Sequence, residues 1–138
     1  MKARIKWVQD VMFLGESGSG HSVVMDGAPD AGGRNLGFRP MEMLLLGLGG
    51  CSAFDVVMIL KRGREAVTDC VIEVDAERAT TDPKVFTKIV MRYIVTGKAL
   101  DPKKVERAVN LSAEKYCSAT ATLAKTATIA HEVEIVNV

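Results

Sequence analysis

The run MEMLLLGLGGCSAFDVVMIL, from Met41 to Leu60, limits the folds open to this chain more than any other feature. It is nearly long enough to cross a bilayer, but Glu42 and Asp55 cut its uncharged centre to twelve residues, which favours a buried helix over a membrane span. The helix is expected from Pro40 to about Arg62. Being apolar on nearly every side, it should lie at the centre of the fold. Pro40 suits a first helical position, where its missing N–H costs nothing. Glu42 complements the positive end of the helix dipole, and Lys61, Arg62 and Arg64 complement the other end, with Gly63 as a stop. Gly47, Gly49 and Gly50 would each weaken an exposed helix by about 1 kcal/mol relative to alanine. That cost predicts the close approach of another backbone or helix.

Strand signals flank this helix. Ala3, Ile5 and Trp7 alternate with Lys2, Arg4 and Lys6, as a half-buried strand requires. A second strand is expected from Met12 to Glu16, a hairpin turn at Ser17–Gly20 and a returning strand from His21 to Asp26. The Gly-, Pro- and Asp-rich segment 27–39 reads as a long loop. After the helix, Cys70–Arg78 and Val85–Thr96 alternate as two antiparallel strands. The acids Glu73, Asp75 and Glu77 are placed to pair with Lys88 and Arg92 across the ladder. Asp101-Pro102 reads as a helix N-cap followed by proline, and Val105, Ala108 and Val109 form a helical stripe running to about Tyr116. A short helix over Ala119–Thr126 and a strand over Ile129–Val136 complete an α+β chain, a single domain over residues 1–138.

Composition narrows the function. With 18 basic and 17 acidic residues scattered along 138 positions, no basic stripe offers a nucleic-acid footprint. The N-terminus alternates charged and apolar residues where a signal peptide needs an unbroken apolar centre. The expectation is a cytoplasmic protein without membrane or nucleic-acid partners. The three cysteines, Cys51, Cys70 and Cys117, contain no CxxC pair and have only His21 and His131 as further soft ligands. Neither a disulfide framework nor a zinc site is expected. The thiols are then either inert packed groups or a reactive pair with a spare. The start of a helix favours a thiolate at Cys117, whereas a dry apolar helix would silence Cys51.

The run RPMEMLLLGLGGCSAFDVV and the later LSAEKYCSATATL together resemble the two cysteine segments of the osmotically inducible protein C and organic hydroperoxide resistance (OsmC/Ohr) family. The element order between them fits as well, so the resemblance spans essentially the whole chain. It implies antiparallel sheets wrapped around a central buried helix in an intertwined homodimer. It also implies a thiol-dependent peroxidase acting on organic hydroperoxides or hydrogen peroxide. Cys51 would attack the peroxide and become a sulfenic acid, Cys117 would condense with it to a disulfide, and an external thiol or dithiol would reduce that bond. No metal, nucleotide or other cofactor is implied.

The sequence departs from the most active members in the groups that support the thiolate. The family's carboxylate lies ten residues before its reactive cysteine. Here that position is Met41, and Glu42 is one step later, turned by about 100° on a helix. The early strand, Phe13–Gly18, has no arginine, leaving Arg34 and Arg39 as alternatives, with Arg39 just ahead of the helix. Arg39 and Glu42 are therefore the candidate supporting residues. A second reading keeps the fold without catalysis, as a protein that binds an apolar small molecule or senses redox state.

Overall fold

A computed structural model describes all 138 residues. By internal packing the chain divides into two compact units, Met1–Leu46 and Gly47–Val138. The first begins with an antiparallel meander of β1 (Ala3–Gln9), β2 (Met12–Ser17) and β3 (Ser22–Met25), in that order across the sheet. The strands lie where the alternating pattern put them, but β1 is exposed along its whole length rather than half-buried, with Ile5 and Trp7 both open in the single chain. The loop that follows is organised by one buried carboxylate. Asp26 accepts hydrogen bonds from the N–H groups of Gly27 (2.7 Å), Arg34 (3.1 Å) and Leu36 (3.1 Å). Burial alone would raise its pKa, but these three bonds, with the charge of Arg39, hold it below the usual carboxylate range.

Helix α1 runs from Pro40 to Arg62, as expected. Its burial differs from the expectation. Leu48, Ser52, Val56 and Leu60 are buried, a row with a spacing of four, while Phe54 is 68% exposed. A sequence apolar all round cannot reveal which side a single chain covers. The glycines differ too: a Cβ built on Gly47 or Gly50 meets nothing within 4 Å, and one on Gly49 makes only an ordinary contact with Val74. No backbone within the chain makes the close approach the glycines suggest.

The second unit carries β4 (Ala66–Arg78), β5 (Phe86–Lys98) and β6 (Thr128–Asn137) in one sheet, order β4-β5-β6. β4 and β5 are antiparallel, but β6 runs parallel to β5, so this sheet is mixed where antiparallel strands were expected. The cause is the crossover between them, which contains α2 (Pro102–Leu111) and α3 (Ser118–Leu123) and is long enough to return the chain in the same direction. The expected ladder of charges forms in part: Arg92 lies opposite Glu73 and bonds it at 3.4 Å, and Glu134 of β6 joins from the other side. The core of the unit is built from Leu48, Val56 and Leu60, the inward row Ile89, Met91, Tyr93 and Val95, and the stripe Val105, Ala108 and Val109.

Candidate active site

The second unit brings Cys51, Asp55 and Cys117 together, with the two sulfur atoms and a carboxylate oxygen all within 4.8 Å of one another. Cys51 and Asp55 are four residues apart on α1, one turn above the other on a single face. Cys117 arrives from the opposite direction by a change in helical winding. After Leu111 the chain makes one π-turn over Ser112–Tyr116, closed by the Cys117 N–H donating to the Ser112 carbonyl at 2.9 Å. This ends α2 and sets Cys117 as the N-cap of α3, its sulfur accepting from the Thr120 N–H at 3.4 Å.

The thiols sit in different surroundings. Cys51 is half-buried and Cys117 is buried. Burial pushes the Cys117 thiol up. The Thr120 N–H and hydroxyl oppose that shift, and the neighbouring Cys51 adds to it. The Thr120 hydroxyl is close enough to favour a thiolate, yet it is buried without a hydrogen bond of good geometry. The expectation that a helix start would favour a Cys117 thiolate is thus outweighed by desolvation. Cys70 lies on β4, outside this group, and burial raises its thiol as well, with Asp69 adding to the effect.

A chain of hydroxyls lies behind the carboxylate. Ser112 Oγ donates to Asp55 Oδ2 at 2.9 Å, Ser52 Oγ lies 3.0 Å from Ser112 Oγ, and Tyr93 Oη lies 2.6 Å from Ser52 Oγ. Each hydroxyl has one proton. An ionised Asp55 can only accept, so Ser112 must give its proton to Asp55. Ser52 must then donate to Ser112, and Tyr93 to Ser52. The charge on Asp55 therefore sets the direction of every bond in the row. Tyr93 stays a phenol throughout, its pKa pushed up to about 12, chiefly by burial and against the opposing bond from Ser52.

Arg39 and Glu42 lie in the first unit and are engaged locally. Glu42 Oε1 accepts the Arg39 N–H at 2.7 Å, half of a capping box at the start of α1. The Arg39 guanidinium donates to Asn35 Oδ1 at 2.9 Å and the Gly37 carbonyl at 3.2 Å. Asp55, Ser52, Ser112 and Tyr93 escaped the sequence reading, which counted Asp55 only as a break in an apolar run. Its i, i+4 relation to Cys51 was the available signal. Two thiols and one carboxylate offer three donors, one short of a closed structural zinc site and as many as a catalytic zinc site draws from protein.

Fold and site together describe a small α+β protein with two free thiols gathered beside a hydrogen-bonded carboxylate. The chain belongs to the OsmC-like protein family, whose sequence model matches residues 32–132. It is 49% identical to Protein YhfA of Escherichia coli K12 over 139 aligned positions, covering 99% of this chain and 98% of that one. A crystal structure of a protein from Aquifex aeolicus VF5 superposes with a TM-score of 0.85 at 30% identity, covering 97% of this chain and 94% of the other. An organic hydroperoxide resistance protein OsmC from Legionella pneumophila shares the fold, with a TM-score of 0.71 at 13% identity over 96% of this chain and 95% of its own.

Proposed function

We propose that this protein is a cofactor-free thiol peroxidase that reduces organic hydroperoxides or hydrogen peroxide. The observation that carries the reading is the meeting of Cys51 and Cys117 sulfurs within 4.8 Å, from segments sixty-six residues apart. The Cys51 thiolate attacks the terminal peroxide oxygen. The O–O bond breaks, Cys51 becomes a sulfenic acid, and an alcohol or water leaves with one proton taken up. Cys117 then condenses with the sulfenic acid, releasing water and leaving a disulfide, which an external thiol or dithiol reduces. Cys51 is the attacking group because it is the less buried of the pair and can meet a substrate from solvent. Free thiols at all three cysteines suit a reducing compartment such as the cytoplasm.

The working unit in this reading is a homodimer, because the outward apolar face of α1 needs a cover. Arg39 and Glu42 remain candidate supports for the thiolate, and Arg39→Ala tests them separately by slowing oxidation of folded protein. The deciding experiment measures alkyl hydroperoxide consumption with a dithiol reductant. Wild type should turn over, Cys51→Ser should not exceed the buffer rate, and Cys117→Ser should stop at a trappable sulfenic acid. Both thiols remaining reduced after long exposure to varied peroxides would instead favour the non-enzymatic reading, a protein that binds an apolar small molecule or senses redox state by other means.

A further inference from the structure

We propose that Asp55 is the proton carrier of the resolving step, taking the Cys117 thiol proton and delivering it to the oxygen that leaves Cys51. This deepens the peroxidase reading and rests on it for the identity of the leaving oxygen. Its basis is the placing of one carboxylate within 4.8 Å of both sulfurs, together with a row of hydroxyls that fixes the carboxylate's position.

The step has a proton to move. A buried Cys117 thiol is a poor nucleophile until its proton is removed, and burial holds its pKa up. The hydroxide displaced from a sulfenic acid is a poor leaving group until it receives a proton. A carboxylate reaching both groups meets both needs. A Cys117 lone pair forms the S–S bond as the Cys51 S–O bond breaks. The thiol proton passes to Asp55 and then to the departing hydroxide as water, and Asp55 is left ionised as it began. Cys117 sulfur is oxidised, Cys51 sulfur is reduced, and nothing else is consumed.

The hydroxyl row fits a group that must hold a proton briefly. When Asp55 is charged, the row points toward it from Tyr93. When Asp55 takes a proton it can donate to Ser112, the row can reverse, and Tyr93 can turn its proton to Met91 Sδ, 3.9 Å away. Neither state leaves a buried hydroxyl in the row without a partner. The titratable groups around the row are Cys51 and Asp55 on α1, Cys117 ahead of α3 and Tyr93 on β5; Cys70 of β4 and His131 of β6 face Tyr93 from outside the thiol group.

The test uses single-turnover kinetics in a Cys70→Ser background, with Asp55→Asn as the main variant. On peroxide, sulfenic acid should form at Cys51 within about threefold of the parent rate, while disulfide formation slows by about 10²-fold at neutral pH, as loss of a general base does. In the parent, that rate should depend only weakly on pH around neutrality. In Asp55→Asn it should climb about tenfold per pH unit until Cys117 ionises by itself. A second arm loads Cys51 with thionitrobenzoate and follows release of the coloured thiolate as Cys117 attacks. That leaving group needs no proton and the reaction needs no peroxide, so the arm tests the base alone. Ser112→Ala keeps the carboxylate but loosens it, and should slow release by a few-fold with the parent's pH profile. It serves if Asp55→Asn folds poorly. Parent-like rate and pH profile in Asp55→Asn, or in its absence a Ser112→Ala rate equal to the parent's, overturns the proposal. Asp55-dependent release from a protein that ignores peroxide would support Asp55 as the base while sinking the peroxidase reading.

Discussion

Replacing Ser112 with alanine should destabilise the protein more than replacing Tyr93 with phenylalanine, although tyrosine is the larger side chain and both positions are fully buried. The reason is their place in the hydroxyl row. Tyr93→Phe removes only the terminal donor. Ser52 still gives its proton to Ser112 and merely loses a bond it accepted, which costs about 0.5–1.5 kcal/mol. Ser112→Ala removes the donor to a charged carboxylate, a bond in the range of about 1.5–3 kcal/mol. Ser52 avoids being orphaned by turning its proton to Tyr93, which turns its own toward Met91. At about 2.1 cal/mol/K per residue, 138 residues give an unfolding entropy of about 0.29 kcal/mol/K, or about 3–4 °C per kcal/mol. Thermal melts at fixed protein concentration should show losses of about 5–10 °C for Ser112→Ala and about 2–5 °C for Tyr93→Phe. The double variant should lose more than the sum, by about 1 kcal/mol or more, because Ser52 then has no partner at all. Equal losses, or strict additivity, would refute the assigned direction of the row.

In a Cys51→Ser background, alkylation of Cys117 should quicken with pH and level off above the ordinary thiol range, because burial raises its pKa; a plateau near neutrality contradicts the burial argument. His131 on β6 has a buried, unpartnered Nε2, and burial lowers its pKa. The unfolded chain therefore binds the proton more readily, and stability falls as pH drops through and below about 6.5. His131→Leu should flatten that part of the curve in urea titrations followed from pH 7 to 5. If the proposed homodimer forms through α1, wild type should sediment as a dimer at micromolar concentration and Phe54→Arg as a monomer; an unchanged dimer would place the interface elsewhere. Cys70→Ser should match wild type in peroxide consumption, since Cys70 lies outside the thiol group.

Much of the fold was legible because its signals are local. The period-two row of β5, the position of β1, the Asp101-Pro102 start of α2 and the limits of α1 each rest on residues close in sequence, and all stand in the structure; the half-burial expected of β1 does not, since Ile5 and Trp7 are exposed. The parallel setting of β6 was not legible, since strand direction depends on how a crossover folds back rather than on the strand's own residues. The site divided the same way. Cys51 and Cys117 could be named from their segments, but a gap of sixty-six residues says nothing of distance. The π-turn before Cys117 leaves no mark in periodicity, and it is what carries that cysteine into place. Ser52, Tyr93 and Ser112 looked like ordinary members of apolar elements. Hydroxyls that satisfy one another in a core are invisible until the elements meet.

Helix α1 has the length and hydropathy to cross a membrane, and its polar residues argue for a different environment. At about 100° per residue, the row Leu48, Ser52, Val56 and Leu60 fills one arc. Asp55 lies at the edge of that arc, and Cys51 about 60° outside it, toward Gly47. Gly47, Gly50 and Phe54 occupy the opposite side. The first two groups are committed inside the second unit, with Ser52 and Asp55 bonded to Tyr93 and Ser112 from other elements. Lipid could therefore meet only the remaining face. On that face, glycines without intrachain contacts flank one exposed aromatic ring, a shape that admits a second helix at close range and leaves a ring to fill the space beside it. A copy of the same helix answers to that description. Cys51 lies between the inward arc and Gly47, so a partner helix on the outward face of the proposed dimer would pass beside it. In the proposed dimer, the helix that carries Cys51 would be held on one side by its own core and on the other by its partner.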